Sequence, residues 1–136
     1  DSEDLEDLPS LRRHVEGSTA LIVLLTPGYL ERPWCLLELL FAREWNVGIV
    51  PVEIQRPGIL KYVYPDDDYY RRFVSGQVLK RGAAKILEDG GYSLQDAAEA
   101  IRHLFEKIAL PFSPHKSMNV RRAELNDILG RLSVDR

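Results

Sequence analysis

The sequence predicts an α/β domain built on a parallel sheet, and three observations carry that prediction. The run Ala20-Leu21-Ile22-Val23-Leu24-Leu25 is continuously apolar rather than alternating, and it stops at Thr26-Pro27-Gly28. Such a run suits a strand buried on both faces, as parallel strands are. The stretch from Trp34 to Trp45 is Leu-rich and free of Gly, and Asn46 and Gly48 supply its stop, so it reads as a helix. Ile49-Val50-Pro51-Val52-Glu53-Ile54 then gives a second strand. Strand, helix and strand across residues 20 to 54 have the length of one βαβ unit, whose crossover is right-handed.

The remaining elements follow in chain order. Residues 1–7 hold Asp1, Glu3, Asp4, Glu6 and Asp7 and no base, and are expected to be a solvated acidic leader or linker. The rest, 8–136, is read as a single domain. From Pro9 a short helix with Leu11 and Val15 on one side is expected, closed by Gly17-Ser18. In the second strand, Pro51 removes one ladder donor, which places that strand at an edge or turns the missing amide away from a partner. Asp66-Asp67-Asp68 caps and charges a helix reaching about Lys80. Ala83 to Glu88 is either a further helical turn or a short strand. Ser93-Leu94-Gln95-Asp96 approximates a capping box for a helix whose apolar face carries Leu94, Ala97, Ala98, Ile101, Leu104, Phe105 and Ile108. Pro111 and Pro114 bracket an extended connection. Ser117 caps a last helix in which Leu125, Ile128, Leu129 and Leu132 share a face, weakened by Gly130.

Composition bounds the function. A chain of 136 residues fits one domain, and 45% hydrophobic with 29% charged residues excludes disorder or a collagen-like repeat as its general description. Eighteen Lys+Arg against twenty-one Asp+Glu leave a net charge of −3, with no global drive toward nucleic acid or anionic lipid. The single cysteine, Cys35, cannot form an internal disulfide, so an intracellular, reducing compartment, cytoplasmic or organellar, is expected. No apolar run approaches the ~20 residues of a membrane span. The chain does not begin with Met, which suggests a processed product or part of something longer.

Most chemical motifs are absent. His14, Cys35, His103 and His115 have no metal-ligand spacing, so no metal site is expected. Gly90-Gly91 is a turn and matches neither phosphate-binding glycine pattern. Arg12-Arg13, Arg71-Arg72, Lys80-Arg81 and Arg121-Arg122 are basic pairs on separate helices and read as solvated faces. Glu38 is the exception. On a helix its neighbours one turn away are Trp34, Cys35, Phe41 and Ala42, so its carboxylate is either paired from elsewhere or desolvated. Desolvation would raise its pKa toward general acid–base use; the alternative is an early-helix Glu favoured by the dipole and paired with a distant Arg.

The series Ser18-Thr19-Ala20-Leu21-Ile22-Val23-Leu24-Leu25-Thr26-Pro27-Gly28-Tyr29-Leu30, Trp34-Cys35-Leu36-Leu37-Glu38-Leu39 and Ile49-Val50-Pro51-Val52 resembles the middle of a TIR (Toll/interleukin-1 receptor) domain. The resemblance covers roughly residues 8 to 55. It implies a flavodoxin-like parallel sheet in the order 2-1-3-4-5, here truncated in its N-terminal half and carrying additional C-terminal helices. The family's first two strands would precede Pro9, where only eight residues stand, five of them acidic; the tail beyond Pro65 carries no matching residue. In enzymatic members the helix glutamate cleaves the nicotinamide–ribose bond of NAD⁺. That residue corresponds to Glu38, and the motif tryptophan, Trp34, would contact the nucleotide.

Two functions are therefore expected. The first is a TIR-like protein–protein interaction module, a structural or signalling subunit with no cofactor, binding a protein partner or itself through the sheet edge at 20–25. The alternative is an NAD⁺ glycohydrolase with Glu38 as catalytic residue and NAD⁺ as substrate. Two strands cannot make a stable sheet alone, so the 20–25 edge is expected to be completed by a further strand, from an N-terminal segment or a partner chain. All of Leu21 to Leu25 are expected to be buried, odd positions on one face and even positions on the other.

Overall fold

A computed structural model describes residues 11, 13, 17, 20–58 and 63–134. The leader at 1–7 and most of the helix expected from Pro9 lie outside them, although Leu11 is helical and buried. Ala20–Leu25 (β1), Gly48–Ile54 (β2) and Leu110–Phe112 (β3) form a parallel sheet in the order β1-β2-β3. Pro33–Glu44 (α1) joins the first two strands. Asp67–Val74 (α2), Arg81–Asp89 (α3) and Leu94–Phe105 (α4) connect β2 to β3, and Met118–Val134 (α5) follows. The described chain is thus α/β, with a three-stranded parallel sheet and five helices.

Register assigns each strand residue to a layer. Leu21 pairs with Ile49, and Val23 with Pro51; these residues and Leu25 share one face. That face joins the main core with Leu36, Leu37 and Phe41 of α1, Phe73 of α2, Leu87 of α3 and Ile101 and Leu104 of α4. Ile22 pairs with Val50, Leu24 with Val52, and Val52 with Leu110, so these form the other face. There a second, smaller cluster gathers Val50, Val52, Ile54, Leu110 and Phe112 under Ile128 and Leu132 of α5. Burying each such aliphatic side chain stabilises the fold by roughly 1.5–3 kcal/mol.

The second face departs from the sequence expectation. Ile22 is 46% and Leu24 49% exposed, whereas Val50 and Val52 beside them are 0% and 2%. The alternation along β1 is as expected, but its even-numbered face is uncovered. Among the described residues α1 to α4 contribute to the first face, and the smaller cluster on the second draws on α5, β2 and β3 and holds no residue of β1. On the outer side of β1, no strand of the described residues pairs.

Further readings are corrected. Of the two readings of Pro51 the edge fails, because it lies in the central strand; β3 pairs only from Val52 onward, so at Pro51 the strand has one ladder neighbour, which agrees with the other reading, a missing amide turned away from a partner. The helix expected to reach Lys80 ends at Val74, where Gly76, at φ +86°, takes a conformation that a side chain would strain. The extended connection at Pro111 is a third strand. Its neighbour segment is held from α5, where the Glu124 carboxylate accepts from the Ser113 N–H at 2.8 Å and from its hydroxyl at 3.2 Å. Ala83 to Glu88 is helical, and the Ser93 hydroxyl accepts from the Asp96 N–H while Asp96 accepts from the Ser93 N–H. The apolar face expected to run on to Ile108 stops where α4 ends, at Phe105, and Ile108 is exposed.

Candidate functional site

The turn leaving β1 builds the site. Gly28, at φ +84°, lets the chain fold into a 3-10 turn at Tyr29–Glu31, with the Tyr29 N–H bonded to the Thr26 carbonyl and the Arg32 N–H to that of Tyr29. Arg32 precedes a proline and is extended, as that position requires, and Pro33 starts α1 without needing its missing N–H. The chain therefore reverses within a few residues and lays the first turns of α1 beside the C-terminal end of β1. Open parallel sheets place ligand crevices outside the carboxyl ends of their strands.

A cleft of about 530 Å³ lies there. Glu38, Cys35 and Arg32 form its helix wall, Thr26 and Pro27 its floor, and the exposed Ile22 and Leu24 its strand side. Glu38 is half-buried, as its apolar helix neighbours require. Cys35 lies one turn earlier on the same side. Its thiol pKa is raised, first by burial and then by the Glu38 carboxylate, with Arg32 partly opposing. A thiol so placed stays protonated at neutral pH, so the cleft offers a carboxylate and a guanidinium rather than a thiolate nucleophile.

Trp34 is placed differently. It is half-buried against the main core and is not among the walls of the cleft. The structure therefore brings Glu38 to the cleft and not Trp34. Sequence reasoning missed Arg32, Cys35 and Tyr29 as cleft residues, although all three sit at the strand–helix reversal, where a pocket is expected in an open parallel sheet. It also missed a second hollow of about 440 Å³ between α1 and the start of α4, lined by Arg43, Glu44, Tyr92 and Asp96. There the Tyr92 hydroxyl donates to Glu44 at 2.6 Å and its ring packs on Phe41, which ties the two helices together.

The other sequence candidates resolve as local structure. Asp66 accepts from the Tyr69 N–H at 2.8 Å, and Asp68 binds Arg71 and Arg72, whose guanidinium groups hold its carboxyl below the usual range. The three aspartates thus serve the start of α2. Among the described residues no three His, Cys, Asp or Glu side chains gather as metal ligands, and no helix is long and apolar enough to cross a membrane. Comparison with protein-family models, with curated proteins and with solved structures found no match.

Proposed function

We propose that this chain is a TIR-like protein–protein interaction module, a structural or signalling subunit whose contact surface is β1. The observation that carries the reading is the uncovered strand: Ile22 and Leu24 are about half exposed on an edge with no outer strand partner among the described residues. Edge strands in stand-alone proteins are usually blunted by charge, proline or a bulge, and Ala20–Leu25 has neither charge nor proline. The sequence resemblance to TIR domains over residues 8 to 55 supports the same reading, with a flavodoxin-like sheet as the proposed parent architecture.

The test is the mass of the natural assembly. Purified from its source, the protein should run with a partner, and Ile22→Lys should release it without unfolding the chain. A natural protein that runs alone, or a variant that keeps its partner, would refute the reading.

A second reading rests on Glu38 lining the cleft. In it the chain contributes to an NAD⁺ glycohydrolase: water adds to the ribose carbon, nicotinamide leaves, and ADP-ribose and a proton are the other products. Glu38 would stabilise the positive charge developing on the ribose as the bond breaks. The natural assembly should then release nicotinamide from NAD⁺, and Glu38→Gln should abolish it. Absence of release ends this reading.

A further inference from the structure

The uncovered face of β1 has a second wall. Along α5, Glu124 and Arg131 are seven residues apart and lie on one side of the Ile128–Leu132 stripe. Glu124 holds Ser113, just after β3, and Arg131 donates to the Ile108 carbonyl, just before it, at 3.0 Å. That side of α5 therefore faces the β3 edge. Leu125 and Leu129 lie on the opposite side of the stripe, toward β1, with Met118 two turns earlier on the same line. They are 46%, 60% and 62% exposed. The sheet surface at Ile22 and Leu24 and this flank of α5 thus make an apolar step.

Its dimensions select the occupant. Strands lie about 4.8 Å apart, and neighbouring helices on a sheet about 8–10 Å apart. A helix beside α5, which sits over β2 and β3, falls over β1 and its open edge. It would touch the floor at Ile22 and Leu24 and the wall at Leu125 together. A strand added to β1 lies in the plane of the sheet and cannot reach that wall.

Charge narrows it further. Arg121 and Arg122 are exposed beside the apolar line, and the Arg122 guanidinium folds back over the Met118 sulfur at 3.7 Å. The two acids of α5 within the described residues lie elsewhere: Glu124 is committed to Ser113, and Asp127 is on the side away from this flank. A second copy presenting the same wall would set arginine against arginine.

We propose that this step is the docking groove for an amphipathic α-helix of a partner protein, with an apolar stripe and acidic residues set against Arg121 and Arg122. The proposal rests on the interaction-module reading and specifies its partner. Its test uses the full chain, methyl-labelled for NMR, and two synthetic 18-residue helical peptides with the same leucine stripe, one flanked by Glu and one by Lys. The Glu peptide should shift the methyls of Ile22, Leu24, Met118 and Leu125 and bind at least tenfold more tightly than the Lys peptide. Arg121→Glu with Arg122→Glu, both exposed changes, should reverse that preference. The proposal is overturned if those methyls do not move, if the preference survives the charge reversal, or if sedimentation shows the chain closing this groove with its own copy. Peptides that fail while Ile22→Lys still dissolves the natural assembly would remove the helix and leave the interaction module standing.

Discussion

Replacing Leu24 by alanine measures whether the second face of β1 is covered in solution. A fully buried leucine contributes roughly 1.5–3 kcal/mol through the area it removes from water. At 49% exposure Leu24 realises about half of that, on the order of 1 kcal/mol by the same area scale. Truncating it also leaves no closed void, because the site opens to solvent, so the cavity penalty of a core deletion does not arise. Leu37 is the control: it is 0% exposed on α1, and Gly90 packs so closely on it that an added Cβ would lie 2.9 Å from its Cδ2. Leu37→Ala should cost ~2–5 kcal/mol. Both are measured by urea unfolding followed through the fluorescence of Trp34 and Trp45, with the slope m checked for constancy. If Leu24→Ala costs as much as Leu37→Ala in the isolated chain, the face is covered and the argument from its exposure fails.

Two smaller perturbations probe the elements around the site. Ser93→Ala removes both the N-terminal acceptor and the reciprocal geometry of the capping box on α4, and should cost ~1 kcal/mol in the same urea assay. The Cys35 thiol, raised by burial and by Glu38, should react with a disulfide reagent at pH 8 more slowly than free cysteine. Glu38→Gln removes the carboxylate, lowers the thiol pKa and should speed that reaction; an unchanged rate would show that Cys35 does not feel Glu38.

Much of the fold was legible because it is written in local pattern. The six-residue apolar run, the Gly-free helix after it and the Ser93–Asp96 box each state their structure within a few residues. Apart from the helix end at Val74, the misreadings concern how elements sit on one another. Pro51 read as an edge signal or as an amide turned from a partner, and the pattern could not choose; the central strand accommodates it because β3 is too short to reach that level. Leu110–Phe112 carries a proline in its middle, which hides a strand from any pattern rule. Leu24 looked as buried as Leu25, since the two differ only in which face they join, and coverage of a face depends on helices far along the chain. Glu38 was found from its apolar helix neighbours, whereas Trp34 was proposed only through the TIR resemblance, and the helix packs it against the core.

The cleft and the groove are not independent surfaces, because Ile22 and Leu24 belong to both. In the described chain these two side chains form the strand side of the cleft that holds Glu38, and each is about half exposed. A helix seated against Leu125 would cover them, and with them the strand side of the cleft, drying the surroundings of Glu38 and Arg32. Charge interactions strengthen as water leaves, so whatever the cleft binds should bind more strongly with the groove filled. The proposed partner is then a structural part of the site, and by linkage a ligand in the cleft tightens the partner by the same factor. Titrating the Glu-flanked peptide with and without NAD⁺ separates the two functional readings: mutual tightening requires nucleotide in the cleft, and unchanged affinity leaves β1 as a contact surface only.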